Sequence, residues 1–252
     1  MALLIAAALT AATSAAGNTA YNWYVKKENG VPVCPPEMSF IDDHDCRYID
    51  REAAASGDRV VYLTFDAGYE NGNVARVLDT LKEENVPGAF FVLENLAERE
   101  PELLKRMTDD GHTVCNHTAK HRDMTLCRDF TEFSEELGKM EKEYEKATGK
   151  MLSKYYRPPE GRFSEENLCY AEKLGYKTVF WSFAYADWDN DRQPDPKTSC
   201  EKIVSSVRPG VVLLLHPTSK TNAEILGDVI RTLKKEGYRF GTLDELFDDE
   251  KA

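Results

Sequence analysis

The stretch that best indicates the fold is Val60-Val61-Tyr62-Leu63-Thr64-Phe65-Asp66-Ala67-Gly68, in which an almost wholly apolar run ends at a carboxylate. A short apolar run of this composition is typical of a strand that is covered on both faces. A carboxylate directly after such a strand is costly to bury without a partner. We therefore predict a buried strand over 60–65 and a functional role for Asp66, with a cap on the following helix as the alternative.

The same pattern continues along the chain, where short apolar runs alternate with amphipathic stretches. The predicted strands lie at 60–65, 88–93, 113–115, 155–157, 178–182, 211–215 and 239–240. The predicted helices cover 74–84, the segment around 103–107, 130–148, 165–174, 197–207 and 223–235. Strands that alternate with helices form parallel sheets, and at 252 residues this favours an α/β fold closed as a barrel.

The N-terminal part of the chain differs from the rest. Residues 1–16 are apolar or small, which favours a secretory signal peptide or the remnant of an anchor. Residues 17–58 are rich in proline and charge, so we expect an extended N-terminal wrap, followed by one main domain over 59–248. We expect an exported monomer with no membrane span beyond such an anchor.

Composition excludes some classes of partner. Asp and Glu number 44 against 32 Lys and Arg, which makes the formal net charge −12. Binding to nucleic acid or to anionic lipid needs concentrated basic residues, so we predict no nucleic-acid partner. The six cysteines fit an oxidising compartment. Their spacing is compatible with local bridges Cys34–Cys46 and Cys115–Cys127, and equally with six thiols.

Polar side chains follow the predicted strands. They are Asp66 after the first strand, His117 and His121 after the third, Arg157 after the fourth, Asp187 after the fifth and His216 after the sixth. The carboxyl ends of parallel strands meet at one rim, so we expect one site. His117 and His121 are four residues apart, which on a helical turn puts both imidazoles in reach of one divalent ion. Separate structural roles for Arg157 and His216 are the alternative, and the coincidence at five strand ends argues against it.

These residues resemble the five motifs of the NodB-homology polysaccharide deacetylases, carbohydrate esterase family 4. The matching segments are Thr64-Phe65-Asp66-Ala67-Gly68, His117-Thr118-Ala119-Lys120-His121, Arg157-Pro158-Pro159-Glu160-Gly161, Asp187-Trp188 and Leu214-Leu215-His216. The resemblance covers roughly residues 59–246 and implies a distorted (β/α)7 barrel with a catalytic domain at 59–248. Tyr69-Glu70-Asn71-Gly72 and Ser219-x-x-Asn222-Ala223-Glu224 are more similar to the members that act on muramic acid than to chitin deacetylases.

The resemblance implies metal-dependent hydrolysis of an acetamide. His117 and His121 would hold a divalent metal ion, zinc or similar, that polarises the carbonyl and acidifies a water. Asp66 would be the general base, kept ionised by Arg157. His216 would be the general acid for the leaving amine, with Asp187 keeping its pKa high enough for it to carry a proton.

Two positions depart from the family pattern. Ala67 stands where most members carry a third metal ligand, an Asp, and Pro217 follows His216 where Asp is usual. An ion held by two neutral imidazoles should bind more weakly than one with an added carboxylate. Water, substrate oxygens or Glu70 are the alternatives for the missing ligand. The muramic-acid subgroup departs at the same position, so Ala67 does not by itself imply an inactive protein.

Three hypotheses for the function follow. The first is deacetylation of N-acetylmuramic acid in peptidoglycan glycan strands, leading to muramic δ-lactam in spore cortex, on the cell-wall or cortex side of the membrane. The second is deacetylation of N-acetylglucosamine glycans, either chitin oligomers or vegetative peptidoglycan. The third, suggested by Ala67, is a non-catalytic glycan-binding relic. Tyr69, Tyr185 and Trp188 could line a sugar cleft, with barrel packing the preferred interpretation for Trp188.

Overall fold

The computed structural model describes residues 19–248, so the predicted signal or anchor segment at 1–16 lies outside the described residues. The strands are β1 Tyr21–Asn22, β2 Lys26–Glu28, β3 Val31–Val33, β4 Cys46–Arg47, β5 Val60–Ala67, β6 Ala89–Val92, β7 Thr113–Asn116, β8 Tyr155–Tyr156, β9 Arg162–Phe163, β10 Lys177–Val179, β11 Val211–Leu215 and β12 Arg239–Phe240. The α-helices are α1 Arg51–Ser56, α2 Asn73–Glu83, α3 Glu94–Arg99, α4 Pro101–Asp109, α5 Phe130–Thr148, α6 Glu165–Lys173, α7 Pro196–Ser206, α8 Lys220–Lys235 and α9 Leu243–Leu246. Short 3₁₀ helices lie at Pro36–Asp43, Met124–Leu126 and Pro159–Gly161.

The main sheet is built outward from β5, which contains the apolar run that ends at Asp66. Its strands follow the order β11-β5-β6-β7-β8-β10-β4, with β12 paired to the start of β5, and every ladder is parallel. Isolated bridges from Phe183 to Leu213 and from Ile49 to Val211 bring the far edge back to β11. The sheet therefore curls into a distorted (β/α)7 barrel, which confirms the predicted fold class.

The side chains of β5 alternate between two environments, as a pleated strand requires. Val61, Leu63, Phe65 and Ala67 belong to the apolar layer between the sheet and its helices. Helix α2 meets this layer with a stripe of buried side chains at helical spacing, Val74, Val77, Leu78 and Leu81. Thr64 and Asp66 have the other parity, and that face leads to the carboxyl-end rim of the barrel.

Most predicted elements are present, and α5 has the predicted bounds. The predicted strand at 178–182 is shorter, because β10 ends at Val179. The reason is local: the carbonyls of Val179 and Phe180 accept hydrogen bonds from the Arg157 guanidinium, at 3.0 and 3.4 Å. A side chain thus takes the place of a neighbouring strand.

The described part of the predicted wrap, residues 19–58, is more structured than an extended segment. Its strand β4 pairs in parallel with β10 and completes the main sheet, and β1 pairs with β9. Trp23 stacks on Phe180 with ring centroids 4.4 Å apart, and its indole donates a hydrogen bond to the Trp181 carbonyl at 2.8 Å. The segment therefore shares a core with the following domain, and the boundary drawn at residue 59 stays a prediction.

The cysteines are free thiols: Cys34, Cys46, Cys115, Cys127, Cys169 and Cys200. The structure thus favours the thiol alternative over the two local bridges. Burial raises the pKa of Cys34 and of Cys127 to about 11, so these thiols are protonated at neutral pH. Between residues 19 and 248, no helix is long and apolar enough to cross a membrane.

Candidate active site

A cleft of about 780 Å³ opens at the carboxyl-end rim of the barrel. Four of the six predicted site residues line it, Asp66, His117, His121 and His216, and the wall also contains Gly68, Tyr69, Leu93, Asn95, Glu160, Trp181, Ala184, Tyr185, Trp188, Leu214 and Thr218. The other two, Arg157 and Asp187, are fully buried and each bonds to one of the four. The structure therefore brings all six predicted residues together.

Asp66 is the penultimate residue of β5 and forms a buried ion pair with Arg157. Its Oδ1 lies 2.7 Å from Arg157 Nη1. Burial alone would raise the pKa of Asp66, but the Arg157 guanidinium, with smaller contributions from His117 and His216, outweighs it and holds the pKa below its ordinary value. Asp66 is therefore a carboxylate at neutral pH. The alternative role as a helix cap is wrong, because Glu70 and not Asp66 accepts from the first amides of α2.

Arg157 is buried because every part of its guanidinium has a partner. Besides Asp66 and the two carbonyls at the end of β10, Nη2 donates to Thr64 Oγ1 at 2.8 Å. The guanidinium carbon lies 4.0 Å from the centroid of the Phe91 ring. A planar cation held at each of its three nitrogens orients the Asp66 carboxylate and also favours its ionised form.

His117 directly follows β7 and is 2 % exposed. Its Nδ1 lies 2.9 Å from the Arg157 carbonyl oxygen, which can only accept, so Nδ1 carries the proton and Nε2 carries the lone pair. Burial lowers the pKa of His117 to about 4, although the negative charge of Asp66 acts to raise it. The ring is therefore neutral at neutral pH. This is the tautomer and charge state that a metal ligand needs.

The expected helical turn at His117 and His121 is wrong. The backbone is left-handed at Thr118, with φ 74°, and at His121, with φ 52°. Side chains hold this loop, since Asn116 Oδ1 accepts from the Thr118 amide at 2.8 Å and Thr118 Oγ1 accepts from the His121 amide at 3.1 Å. The two imidazoles are nevertheless neighbours, with ring centroids 5.0 Å apart.

These residues fit a divalent metal ion. The Nε2 lone pair of His117 faces Asp66 Oδ2 at 3.5 Å, so two acceptors meet in a buried place with no proton to share. A divalent cation held by the His117 lone pair would relieve the repulsion between the two acceptors. The imidazole of His121, which is exposed at the rim beside His117, adds a second nitrogen donor of the kind that zinc accepts.

Neither Ala67 nor Glu70 adds a carboxylate ligand to the two imidazoles. The Ala67 side chain is buried in the apolar layer between sheet and helices. Glu70 does not fill its place, because its two carboxylate oxygens accept from the backbone amides of Val74 and Ala75, at 2.9 and 3.3 Å, at the start of α2. Of the alternatives for the missing ligand, Glu70 is thus engaged as a helix cap, which leaves water or substrate.

His216 directly follows β11 and is paired with Asp187. Its Nδ1 lies 2.7 Å from Asp187 Oδ1, and its backbone amide donates to Asp187 Oδ2 at 2.9 Å. Burial acts to lower the pKa of His216, but the hydrogen bond and charge of Asp187, with Asp66, outweigh it and raise the pKa above its ordinary value. His216 therefore keeps its proton to higher pH than an ordinary histidine, which suits a role as an acid.

Trp188 corrects an expectation of the sequence analysis. Its side chain is 59 % exposed at the cleft, with its ring centroid 6.1 Å from that of His216, so packing inside the barrel is wrong. Tyr69, which is 42 % exposed, also lines the cleft. Two exposed aromatic faces at a cleft provide surfaces for the apolar faces of sugar rings.

Sequence reasoning assigned no role to two residues that the site uses. Thr64 bonds to Arg157, and its position two residues before Asp66 on the same face of β5 was the available indication. Asn222 bonds to Asp187 from the first turn of α8. The segment that contains Asn222 indicated the muramic-acid subgroup, but the contact of Asn222 with Asp187 becomes visible only in the folded structure.

Comparison with known proteins gives consistent results. The profile of the polysaccharide deacetylase family matches residues 53–179. The peptidoglycan-N-acetylmuramic acid deacetylase PdaA of Bacillus subtilis is 39% identical over 241 residues, covering 94% of this chain and 89% of that protein. A peptidoglycan-N-acetylglucosamine deacetylase of Bacillus cereus is 31% identical over 195 residues, covering 76% of this chain and 69% of that protein.

Two solved structures are also similar to this chain. The structure of B. subtilis PdaA, a family 4 carbohydrate esterase, superposes with a TM-score of 0.87 and covers 93% of this chain and 99% of that chain, at 39% identity. A family 4 carbohydrate esterase from Bacillus anthracis superposes with a TM-score of 0.75 at 37% identity, covering 92% of this chain and 98% of that chain.

Proposed function

This chain belongs to the polysaccharide deacetylase family, carbohydrate esterase family 4, and we propose that it removes the acetyl group from N-acetylmuramic acid residues of peptidoglycan glycan strands. The observation that carries the proposal is one cleft lined by both a carboxylate paired with the Arg157 guanidinium and an imidazole paired with the Asp187 carboxylate. A base and an acid of this kind are what amide hydrolysis requires at neutral pH.

The base side of the reaction belongs to Asp66. Its carboxylate would take the proton of the water that attacks the acetamide carbon, while Arg157 fixes the position of the carboxylate through the bond to Oδ1. His117 and His121 would hold the divalent ion, which when bound polarises the acetamide carbonyl and acidifies the attacking water. His117 is oriented for this by its bond to the Arg157 carbonyl, so one residue positions both the base and a ligand.

The acid side belongs to His216. With Nδ1 held by Asp187, its Nε2–H would donate the proton to the departing sugar nitrogen as the carbon–nitrogen bond breaks. The products are acetate and a free amine on the sugar. Asp187 stabilises the imidazolium before transfer and keeps the ring oriented after it.

Muramic acid is preferred over glucosamine as the substrate because of the comparisons. The muramic acid deacetylase is 39% identical across 94% of this chain, whereas the glucosamine deacetylase is 31% identical across 76% of it. In muramic acid the freed amine stands beside the lactyl carboxyl of the same sugar, and these are the two groups from which a δ-lactam forms. The proposal therefore extends to the first step of lactam formation in spore cortex, by an exported enzyme on the wall side of the membrane.

The test is a matched pair of glycans. Purified protein with Zn²⁺ or Mn²⁺ is incubated with peptide-free strands that contain N-acetylmuramic acid, and separately with N-acetylglucosamine oligomers. Acetate release and a new amine on muramic acid support the proposal, and reaction with glucosamine oligomers alone supports the second hypothesis. Glycan binding without turnover, unchanged in an Asp66→Asn variant, would establish the relic.

A further inference from the structure

Behind His216 lies a buried polar network in which the central group is the side-chain amide of Asn222. Asn222 is 1 % exposed and lies in the first turn of α8. Its Nδ2 donates to Asp187 Oδ2 at 2.5 Å and to the His216 backbone carbonyl at 3.0 Å, and its Oδ1 accepts from the Tyr185 hydroxyl. The amide uses both of its donors and its acceptor on residues around the acid of the reaction.

We infer that Asn222 is a positioning residue for deacetylation, which locks the Asp187 carboxylate and the His216 backbone in the arrangement that points His216 Nε2 at the substrate nitrogen. The inference rests on the proposed function, because it gives His216 the role of acid. Asn222 is separated from the cleft by the residues it holds, so it acts through Asp187 and His216.

The orientation of the Asn222 amide is fixed by its partners. Nδ2 faces a carboxylate and a carbonyl, which can only accept. A flipped amide would set Oδ1 against both of them and leave the Tyr185 hydroxyl facing an NH₂ group. Burial and the charge of Asp187 raise the pKa of Tyr185, so that hydroxyl stays protonated and donates. The network is therefore directional, and it fixes which oxygen of Asp187 is left for the imidazole.

The Asp187 carboxylate depends on this support. It is 1 % exposed and is held by three donors: the His216 ring, the His216 backbone amide and Asn222. Two of the three come from His216 itself, so Asn222 is the donor that ties the carboxylate to a separate element. Without it, Asp187 and His216 could move as a unit relative to the cleft.

The position of Asn222 follows from the local sequence. Ser219 is the N-cap of α8, and its hydroxyl accepts from the backbone N–H of Asn222 at 3.2 Å. This cap starts the helix three residues after His216, which brings the Asn222 side chain back under the end of β11. The segment Ser219-x-x-Asn222 thus couples a helix start to the loop that carries the acid.

The charges around His216 determine how its protonation responds to a change at residue 222. Asp187 and Asp66 favour its charged form and Arg157 opposes it, while α8 contributes the neutral Asn222. An Asn222→Asp variant keeps the shape of the side chain but sets a second carboxylate against Asp187. The added negative charge should favour protonated His216, so the alkaline limb of the activity profile should move to higher pH.

The experiment compares Asn222→Ala and Asn222→Asp with Thr221→Ala. Thr221 is a buried neighbour in the same helical turn, whose hydroxyl donates to the Pro194 carbonyl and not to Asp187, so it controls for damage to α8. We expect Asn222→Ala to lower kcat by about 10- to 100-fold with KM unchanged, by analogy with the loss seen when the hydrogen-bond partners of metal-ligating histidines are removed. Thr221→Ala should keep both constants.

A readout that needs no turnover is the ¹⁵N and ¹H resonance of His216 Nδ1 in the protein alone. The inference predicts that this resonance shifts in both Asn222 variants and not in Thr221→Ala. Equal kcat for wild type and Asn222→Ala, or an unshifted Nδ1 resonance and alkaline limb in Asn222→Asp, overturns it. If the wild-type protein releases no acetate from any glycan, the proposed function fails, and the resonance still decides whether Asn222 positions the pair.

Discussion

Replacing Asp66 by Asn removes the proposed general base while it keeps the structure of the cleft. The amide has the shape of the carboxylate, and its oxygen can still accept from Arg157 Nη1, which lies 2.7 Å from Oδ1 in the wild-type protein. The negative charge that takes up a proton from water is lost. General-base catalysis contributes about 10²- to 10⁴-fold, so the barrier should rise by about 2.7–5.4 kcal/mol.

The expected loss of stability is much smaller. Arg157 keeps its bonds to Thr64, Val179 and Phe180, so the buried guanidinium is not left without acceptors. A hydrogen bond to a charged group contributes about 1.5–3 kcal/mol and a neutral one about 0.5–1.5 kcal/mol. We therefore expect the free energy of unfolding to fall by about 1–1.5 kcal/mol, short of the roughly 3–5 kcal/mol for an abandoned buried charge.

Acetate release on peptide-free glycan strands measures the first quantity, and urea denaturation measures the second. Asp50→Asn is the matched control, because it makes the same change to a carboxylate that binds the Tyr62 hydroxyl and the Ala53 amide, outside the cleft. It should keep full activity. Activity of Asp66→Asn within tenfold of the wild type would refute the assignment of Asp66 as the base. Failure of Asp66→Asn to fold while Asp50→Asn is stable would refute the estimate of its stability.

Three further predictions follow from the site. Asp187→Asn removes the charge that raises the pKa of His216 and leaves the burial that lowers it, so the alkaline limb of kcat/KM should move to lower pH; an unmoved limb contradicts the pairing. His117→Ala should abolish zinc binding in calorimetry, whereas His112→Ala, at a histidine that accepts from the Gly88 amide away from the cleft, should keep it. Trp188→Ala should raise KM for glycan oligomers by about 2- to 12-fold at unchanged kcat, as loss of a ring contact of about 0.5–1.5 kcal/mol implies, and an unchanged KM would show that the exposed ring does not touch sugar.

The sequence was sufficient for the barrel and for the six residues at its rim, because both follow from strand periodicity and from what stands where each strand ends. The central strand β5 is an example: its apolar run predicted burial, and Asp66 at its end predicted a partner, which is Arg157. Contacts between strand ends are inherent in a parallel sheet, so no knowledge of side-chain geometry was needed.

Features that depend on local geometry could not be read in the same way. The loop from His117 to His121 has helical spacing but a left-handed backbone at Thr118, because Asn116 and Thr118 supply hydrogen bonds that compete with a helical turn. The early end of β10 depends on a guanidinium from another strand. Trp188 was predicted to pack inside the barrel, whereas its side chain is exposed at the cleft.

The sugar that loses its acetyl group decides most directly whether this cleft deacetylates muramic acid. Peptide-free glycan strands that alternate N-acetylglucosamine and N-acetylmuramic acid are treated with metal-loaded protein, with Asp66→Asn as the blank. The released sugars are then separated and identified by mass spectrometry. The account predicts a free amine or a lactam on muramic acid, intact N-acetylglucosamine, and no change in the blank. Acetyl loss from glucosamine alone, or equal products from Asp66→Asn, would contradict it.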